Sequence, residues 1–216
     1  MSKAKLRMID LLSRVRVIPI VTIRDASVAV NLAEALMDGG LHVFEVLLRT
    51  PAALAAVEQI RKAVPEAFVG AGTLLDRKDV ERAIAAGARF GVSPGLTREL
   101  GEAVNEHGLP FLPGVSSASE IMQAMALGFT ELKFFPAFGA AGTAWLKIMA
   151  PVFSAVTFCP TGGIKKEDIA EYMKLPNCRT VGCSWVASAS LIEAHDWPSI
   201  TALARQVSKI GLDSDA

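Results

Sequence analysis

Eight short runs rich in β-branched or aromatic residues recur along the chain: VIPIVTI (17–23), VFEVLLR (43–49), FVGAGT (68–73), FGVSP (90–94), PFLPGV (110–115), ELKFFP (131–136), AVTFCPTG (155–162) and RTVGCSW (179–185). Their starts lie 20 to 26 residues apart, the length of one strand, a turn, a helix and a return. The segments between them are patterned as helices. Val28, Leu32, Ala35 and Leu36 share one helical face, and Gly39 and Gly40 follow as a stop. Similar stops fall at Gly87, Gly108 and Gly128, and Thr97 and either Ser116 or Ser117 sit where helix caps belong. Eight βα units predict an α/β fold, a (β/α)8 TIM barrel. A doubly wound open sheet is the competitor, disfavoured because no run reads as an edge strand. Leu6, Ile9, Leu12 and Val15 recur at helical spacing, so a short amphipathic N-terminal helix is expected against the barrel. No linker or second domain interrupts the pattern, and 1–216 is read as a single barrel domain.

Composition narrows the function classes. With 51% hydrophobic and 20% charged residues the chain is globular in character. Lysine plus arginine and aspartate plus glutamate number 22 each, so no global field favours nucleic acid or an anionic membrane. An acidic ligand must be captured locally. The N-terminal apolar positions are interrupted by Asp10, Ser13 and Arg14 before a signal core forms, and no apolar run approaches the roughly 18 residues that span a bilayer. Cys159, Cys178 and Cys183 form an odd set without CxxC spacing, which argues against a disulfide framework and fits a reducing cytoplasm. His42, His107 and His195 lie far apart without metal-ligand spacing. No metal and no cofactor is expected.

Barrel chemistry gathers at the C-terminal ends of the strands, and strand side chains alternate between helices and interior. In VFEVLLR the apolar outward set is Phe44, Val46 and Leu48, leaving Glu45, Leu47 and Arg49 inward. In ELKFFP the same rule turns Leu132 and Phe134 outward, Lys133 and Phe135 inward. In FVGAGT it assigns Thr73 inward with Val69 and Ala71. Glu45, Arg49, Thr73 and Lys133 are therefore predicted to converge on one enclosed volume. A plain barrel-lining ion pair between Glu45 and Arg49 is the structural alternative.

A lysine in apolar surroundings is costly as a cation, and its free amine is a nucleophile able to form a Schiff base with a ketone. Glu45 is the inward candidate for the accompanying proton transfers. Arg49 suits a carboxylate through its planar fork, with Thr73 adding a hydroxyl, so a 2-keto acid is the substrate class indicated. TGGIKKEDI closes the seventh run, and Ser184 follows the eighth. Gly162 and Gly163 allow close backbone approach at a place where barrels frequently bind phosphate. Phe135 and Pro94 are candidates to line the pocket. FGAAGT (138–143) is glycine-rich enough to flex over the mouth. Other readings of the same residues are a barrel phosphosugar isomerase with Glu45 as base, and a non-catalytic phosphate-ligand module.

The segments EVLLRT (45–50), GAGTLL (70–75), SPGLT (93–97), LPGVSS (112–117), ELKFFPA (131–137), FCPTGGI (158–164) and VGCSW (181–185) together resemble the signatures of the 2-keto-3-deoxy-6-phosphogluconate aldolases. The resemblance implies a class I aldehyde-lyase of the Entner–Doudoroff route, yielding pyruvate and glyceraldehyde 3-phosphate without metal. It implies Lys133 as the Schiff-base residue, Glu45 as the proton-transfer residue, Arg49 and Thr73 at the carboxylate, Thr161 near the substrate hydroxyls, and Gly162, Gly163 and Ser184 at the phosphate. It also implies a cytoplasmic homotrimer acting on a small phosphorylated 2-keto acid. Relatives acting on 4-hydroxy-2-oxoglutarate or the galactonate epimer share this set. Cys183 stands where a second glycine is expected before Ser184, which predicts crowding of the phosphate site.

Overall fold

A computed structural model describes residues 7–210 of the chain. The strands are β1 (Val17–Val21), β2 (Val43–Leu47), β3 (Phe68–Gly72), β4 (Gly91–Val92), β5 (Phe111–Leu112), β6 (Gly114–Val115), β7 (Glu131–Phe134), β8 (Thr157–Pro160) and β9 (Val181–Cys183). They pair in parallel, in the orders β5-β4-β3-β2-β1-β9 and β6-β7-β8. β5 and β6 are two halves of the run expected over 110–115, parted at Pro113, which has no N–H to give the ladder. Its carbonyl still accepts the Lys133 N–H at 2.8 Å, so the two sheets share this staff. On the other side a parallel bridge between Thr161 and Gly182 joins β8 to β9. The eight expected runs thus close into a barrel of nine strand segments among the described residues.

The helices are α1 (Met8–Leu12), α2 (Ala29–Asp38), α3 (Ala53–Ala63), α4 (Arg77–Ala85), α5 (Arg98–His107), α6 (Ala118–Ala126), α7 (Gly142–Val152), α8 (Ile169–Met173), α9 (Ala189–Glu193) and α10 (Trp197–Ser208). The caps follow from local chemistry. Thr97 accepts the Leu100 N–H at 3.2 Å, while Ser117, rather than Ser116, accepts the Glu120 N–H at 3.3 Å as Glu120 returns a carboxylate to the Ser117 N–H. The expected stops at Gly87, Gly108 and Gly128 are left-handed, with φ of 87°, 64° and 88°.

Apolar side chains form two layers. Phe44, Val46, Leu132, Phe134 and Phe158 belong to the large layer shared with the helices. A smaller inner cluster joins Ile18, Val43, Phe90, Val92, Leu112 and Cys159 to Met8, Leu11 and Leu12. α1 therefore closes the end of the barrel at which the strands begin. Its buried face is Met8, Leu11 and Leu12, with Ile9 only half-buried; the periodicity had put Ile9 in the buried row, and Leu6 lies outside the described residues.

β3 departs from the expected alternation. Val69 and Ala71 pack in the outer layer, and Gly70 and Gly72 face the interior. A Cβ on Gly70 would overlap the Phe90 ring, and one on Gly72 would overlap the Glu45 carboxylate. Past Phe68, which packs against the inner cluster at the start of the strand, the run offers apolar side chains to only one face, and the helix layer takes them. The inward glycines then leave room for longer side chains from neighbouring strands.

Candidate functional site

The register sets the depth of each inward group. Glu45 lies level with Ile20 of β1 and Gly70 of β3. Lys133 lies level with Gly114 of β6 and Cys159 of β8. Gly70 and Gly72 beside Glu45, and Gly114 and Cys159 beside Lys133, leave these two long side chains room to extend into the lumen and meet. Lys133 Nζ stands 3.7 Å from Glu45 Oε1, with the side chains only 7% and 3% exposed. That separation makes an ion pair but exceeds a hydrogen bond. Glu45 Oε1 is buried with no hydrogen-bond partner among the described residues. A buried, unpartnered carboxylate oxygen is costly unless a ligand or a migrating proton engages it.

Above this pair a cavity of about 370 Å³ opens at the C-terminal ends of the strands, bordered by Ile20, Leu47, Arg49, Lys133, Phe135 and Thr161, and by the loops 162–165 and 182–185. The Phe135 ring lies 5.1 Å from Lys133 Nζ, within reach of the ammonium face-on. Thr161 is buried and donates its hydroxyl to the Cys159 carbonyl at 3.4 Å. Gly162 and Gly163 have φ of 103° and 72°, a conformation that brings the backbone to the rim without side chains. Ser184 is exposed at the same rim.

Arg49 donates from Nε to Thr73 Oγ1 at 3.0 Å. Its partner is thus Thr73, and the partner of Glu45 is Lys133, in place of a pair between Glu45 and Arg49. Thr73 reaches this position by an unexpected route. At φ 66° it is left-handed, so it leaves the pleat of β3, and its hydroxyl orients the guanidinium without bordering the cavity. A β-branched residue in that region is strained, a cost that surrounding structure must hold. Pro94 is not brought to the cavity: half-buried beyond β4, it packs its carbonyl over Gly114, where a Cβ would overlap it. Segment 138–143 is tied down at Gly139, which donates its N–H to the Gly162 carbonyl at 3.4 Å and accepts the Tyr172 hydroxyl.

The cavity also presents Ile20, Ile164 and Trp185, which sequence reasoning passed over, and the side chain of Lys165, where the sequence suggests only a helix start offering N–H groups to an anion. Trp185 Nε1 donates to the Ile164 carbonyl at 3.1 Å, tying together the two loops of the rim. The part of Gly72 in seating Glu45 has no signal in a single sequence. A larger groove of about 540 Å³ lies between α2 and α10, but no buried ionisable side chain reaches it.

Cys183 borders the cavity yet is only 4% exposed and packs in the outer layer, so the expected crowding of the rim by its side chain is not seen. Burial pushes the thiols of Cys159 and Cys183 up to about 12 and raises that of Cys178 as well. Folded-state values raised above the unfolded value give stability that is present below the ordinary thiol range and is lost as pH rises. The three thiols should ignore a disulfide reagent at pH 8 until urea exposes them, and melting temperature should fall once pH exceeds about 9. Thiol titration and melts from pH 8 to 11 check both.

Residues 8–203 match the family model described as KDPG and KHG aldolase. A 2-dehydro-3-deoxy-phosphogluconate aldolase of Pseudoalteromonas atlantica is 45% identical over 197 residues, covering 91% of this chain and 92% of that protein. A KDPG aldolase of Legionella pneumophila, solved with pyruvate captured at low pH as a covalent carbinolamine intermediate, superposes with a TM-score of 0.92 at 43% identity over 94% of this chain and 99% of its own. The 2-keto-3-deoxy-6-phosphogluconate aldolase of Zymomonas mobilis ZM4, solved with 3-phosphoglycerate, gives 0.89 at 44% identity over 95% and 96%. With a barrel shared along nearly the whole length and a family match that spans the buried lysine and glutamate, the chain belongs to the KDPG and KHG aldolase family.

Proposed function

We propose that the protein is a class I aldolase that cleaves 2-keto-3-deoxy-6-phosphogluconate to pyruvate and glyceraldehyde 3-phosphate, with Lys133 as the Schiff-base residue and Glu45 as the general acid and base. The observation that carries this reading is the buried Lys133–Glu45 pair, 3.7 Å apart, beneath a cavity at the barrel mouth. Glu45 takes the ammonium proton and frees the amine. The Lys133 Nζ lone pair adds to the C2 carbonyl, giving a carbinolamine whose hydroxyl leaves as water with a proton returned by Glu45. In the resulting iminium, Glu45 removes the proton of the C4 hydroxyl. The C3–C4 bonding electrons pass into the iminium, the aldehyde departs and an enamine remains. Protonation at C3 and addition of water release pyruvate and restore the amine. No metal or cofactor enters these steps.

Arg49, held by Thr73, suits the C1 carboxylate. Thr161 and Phe135 line the path of the carbon chain, and Gly162, Gly163 and Ser184 suit the phosphate at the far rim. Pro94 serves only as backing for Gly114. The same set would serve 4-hydroxy-2-oxoglutarate, a substrate of the family named in the match. A cytoplasmic place in the Entner–Doudoroff route belongs to this reading, and three buried free thiols fit a reducing compartment. No helix among the described residues is long and apolar enough to cross a membrane.

A homotrimer is part of the same proposal. Met122 and Met125 on α6 and Ile148 and Val152 on α7 are exposed at i, i+3 and i, i+4 spacing, the kind of apolar rows that association covers. Light scattering on the unaltered chain should give the mass of three copies, and Ile148→Glu with Val152→Glu should shift it toward one.

Treating the protein with pyruvate and borohydride should leave a stable adduct on Lys133, absent in Lys133→Ala; an active enzyme without that adduct would end the Schiff-base reading. Gly72→Ala should lower kcat by about 10- to 100-fold, because displacing a reacting group by about 1 Å costs that much, while the pyruvate adduct still forms. Steady-state kinetics and mass spectrometry check both.

A further inference from the structure

The cavity is lined by three cationic side chains, Arg49, Lys133 and Lys165, and by no acidic one; Glu45 lies beneath them. In the reading above, Arg49 and Lys133 serve the carboxylate and the ketone, at one end of a 2-keto acid. Lys165 borders the same cavity from the loop that carries Gly162 and Gly163, and Ser184 and Trp185 border it from the loop after β9.

Its position is anchored. The Lys165 N–H donates to Asp168 Oδ2 at 2.9 Å, and the preceding carbonyl of Ile164 accepts from Trp185 at 3.1 Å. The backbone is therefore held on both sides while the residue is exposed. Its neighbour Lys166 turns outward and donates to Gln206 Oε1 at 2.8 Å. Lys165 takes part in none of the ion pairs among the described residues; the Asp168 carboxylate beside it is engaged by the Lys165 backbone N–H, not by its ammonium.

Neutral donors dominate there: glycine N–H groups and the Ser184 hydroxyl. They can bind a phosphate, a carboxylate or a hydroxyl, and by themselves discriminate poorly among the three. A phosphate carries about −1.5 to −2 charge at pH 7, against −1 for a carboxylate and none for a hydroxyl. A flexible ammonium acts as a point charge and answers to that difference more than to ligand shape.

We propose that Lys165 is a specificity-determining residue, which selects 2-keto acids whose far end carries a dianionic phosphate over those ending in a carboxylate or a hydroxyl. The proposal rests on the aldolase reading and deepens it. Lys165 belongs to the glycine loop after β8, whereas Lys133 is on β7, so its influence is expected on capture of the far group.

The test compares the unaltered enzyme with Lys165→Gln and Lys165→Arg on 2-keto-3-deoxy-6-phosphogluconate, its unphosphorylated counterpart and 4-hydroxy-2-oxoglutarate. Lys165→Gln should lose about 10-fold in kcat/KM on the phosphorylated substrate, mostly through KM. On the other two it should change by less than about 2-fold, since no dianion is lost. Lys165→Arg should keep most of the activity, because the charge is retained. Added salt should weaken capture of the phosphorylated substrate by the unaltered enzyme more than by Lys165→Gln. An equal loss on all three substrates, or no loss on any, overturns the proposal. Pyruvate and borohydride give the separate control: the adduct on Lys133 should form in every variant, and its absence from the unaltered enzyme would instead sink the aldolase reading.

Discussion

Two opposite charges inside a closed barrel set the terms for the rest of the molecule. Desolvating an ammonium and a carboxylate costs several kcal/mol each, and their mutual attraction offsets this only with close geometry. Here the geometry stops short of a hydrogen bond, leaving Glu45 Oε1 without a donor. An arrangement built for stability alone would close that gap or fill the space with apolar side chains. The interior instead keeps the carboxylate walled by protein beside the Lys133 ammonium, which itself borders the cavity. Glycines at 70, 72, 114 and 182 make this possible: Phe90 occupies the space over Gly70, Glu45 that over Gly72, and Thr161 that beside Gly182.

The mouth obeys a different constraint, because its groups must face solvent and a charged ligand. Arg49 is exposed and derives its orientation from a hydroxyl, not an acid, so its charge stays available for a carboxylate. The strained backbone at Thr73 places that hydroxyl. Across the rim, the bond from Trp185 to Ile164 and the one from Lys165 to Asp168 hold a glycine-rich loop that would otherwise have few restraints. Rigid strands set the reacting pair, and hydrogen-bonded loops set the two ends of the ligand path, the division of labour usual in this fold.

Much of this was legible in the sequence. Hydrophobic period and glycine stops located the strands, and simple alternation turned Glu45 and Lys133 inward, because β2 and β7 carry large apolar residues at every outward position. The same rule misassigned β3. Beyond Phe68 the only side chains there are Val69 and Ala71, and nothing local says which face they take. Thr73 was placed in the site for a faulty reason, since a left-handed turn carries it there. Pro94 ends its run in sequence but packs its carbonyl against Gly114, a packing detail set by the neighbouring strand. Cys183 was expected to intrude on the rim, whereas the pleat of β9 takes its side chain to the helix layer.

The sequence by itself determined the order of elements, the barrel class and the identity of the two buried charges, because these depend on periodicity and residue chemistry within a few positions. The tertiary structure decided which atoms meet: the 3.7 Å between Lys133 and Glu45, the pairing of Arg49 with Thr73, the seat that Gly72 leaves for a carboxylate and the place of Lys165 on the cavity border. Those distances arise from strand register, from ring closure and from the volume that a missing side chain leaves to its neighbour. Such quantities join segments far apart in the chain, and no local pattern encodes them.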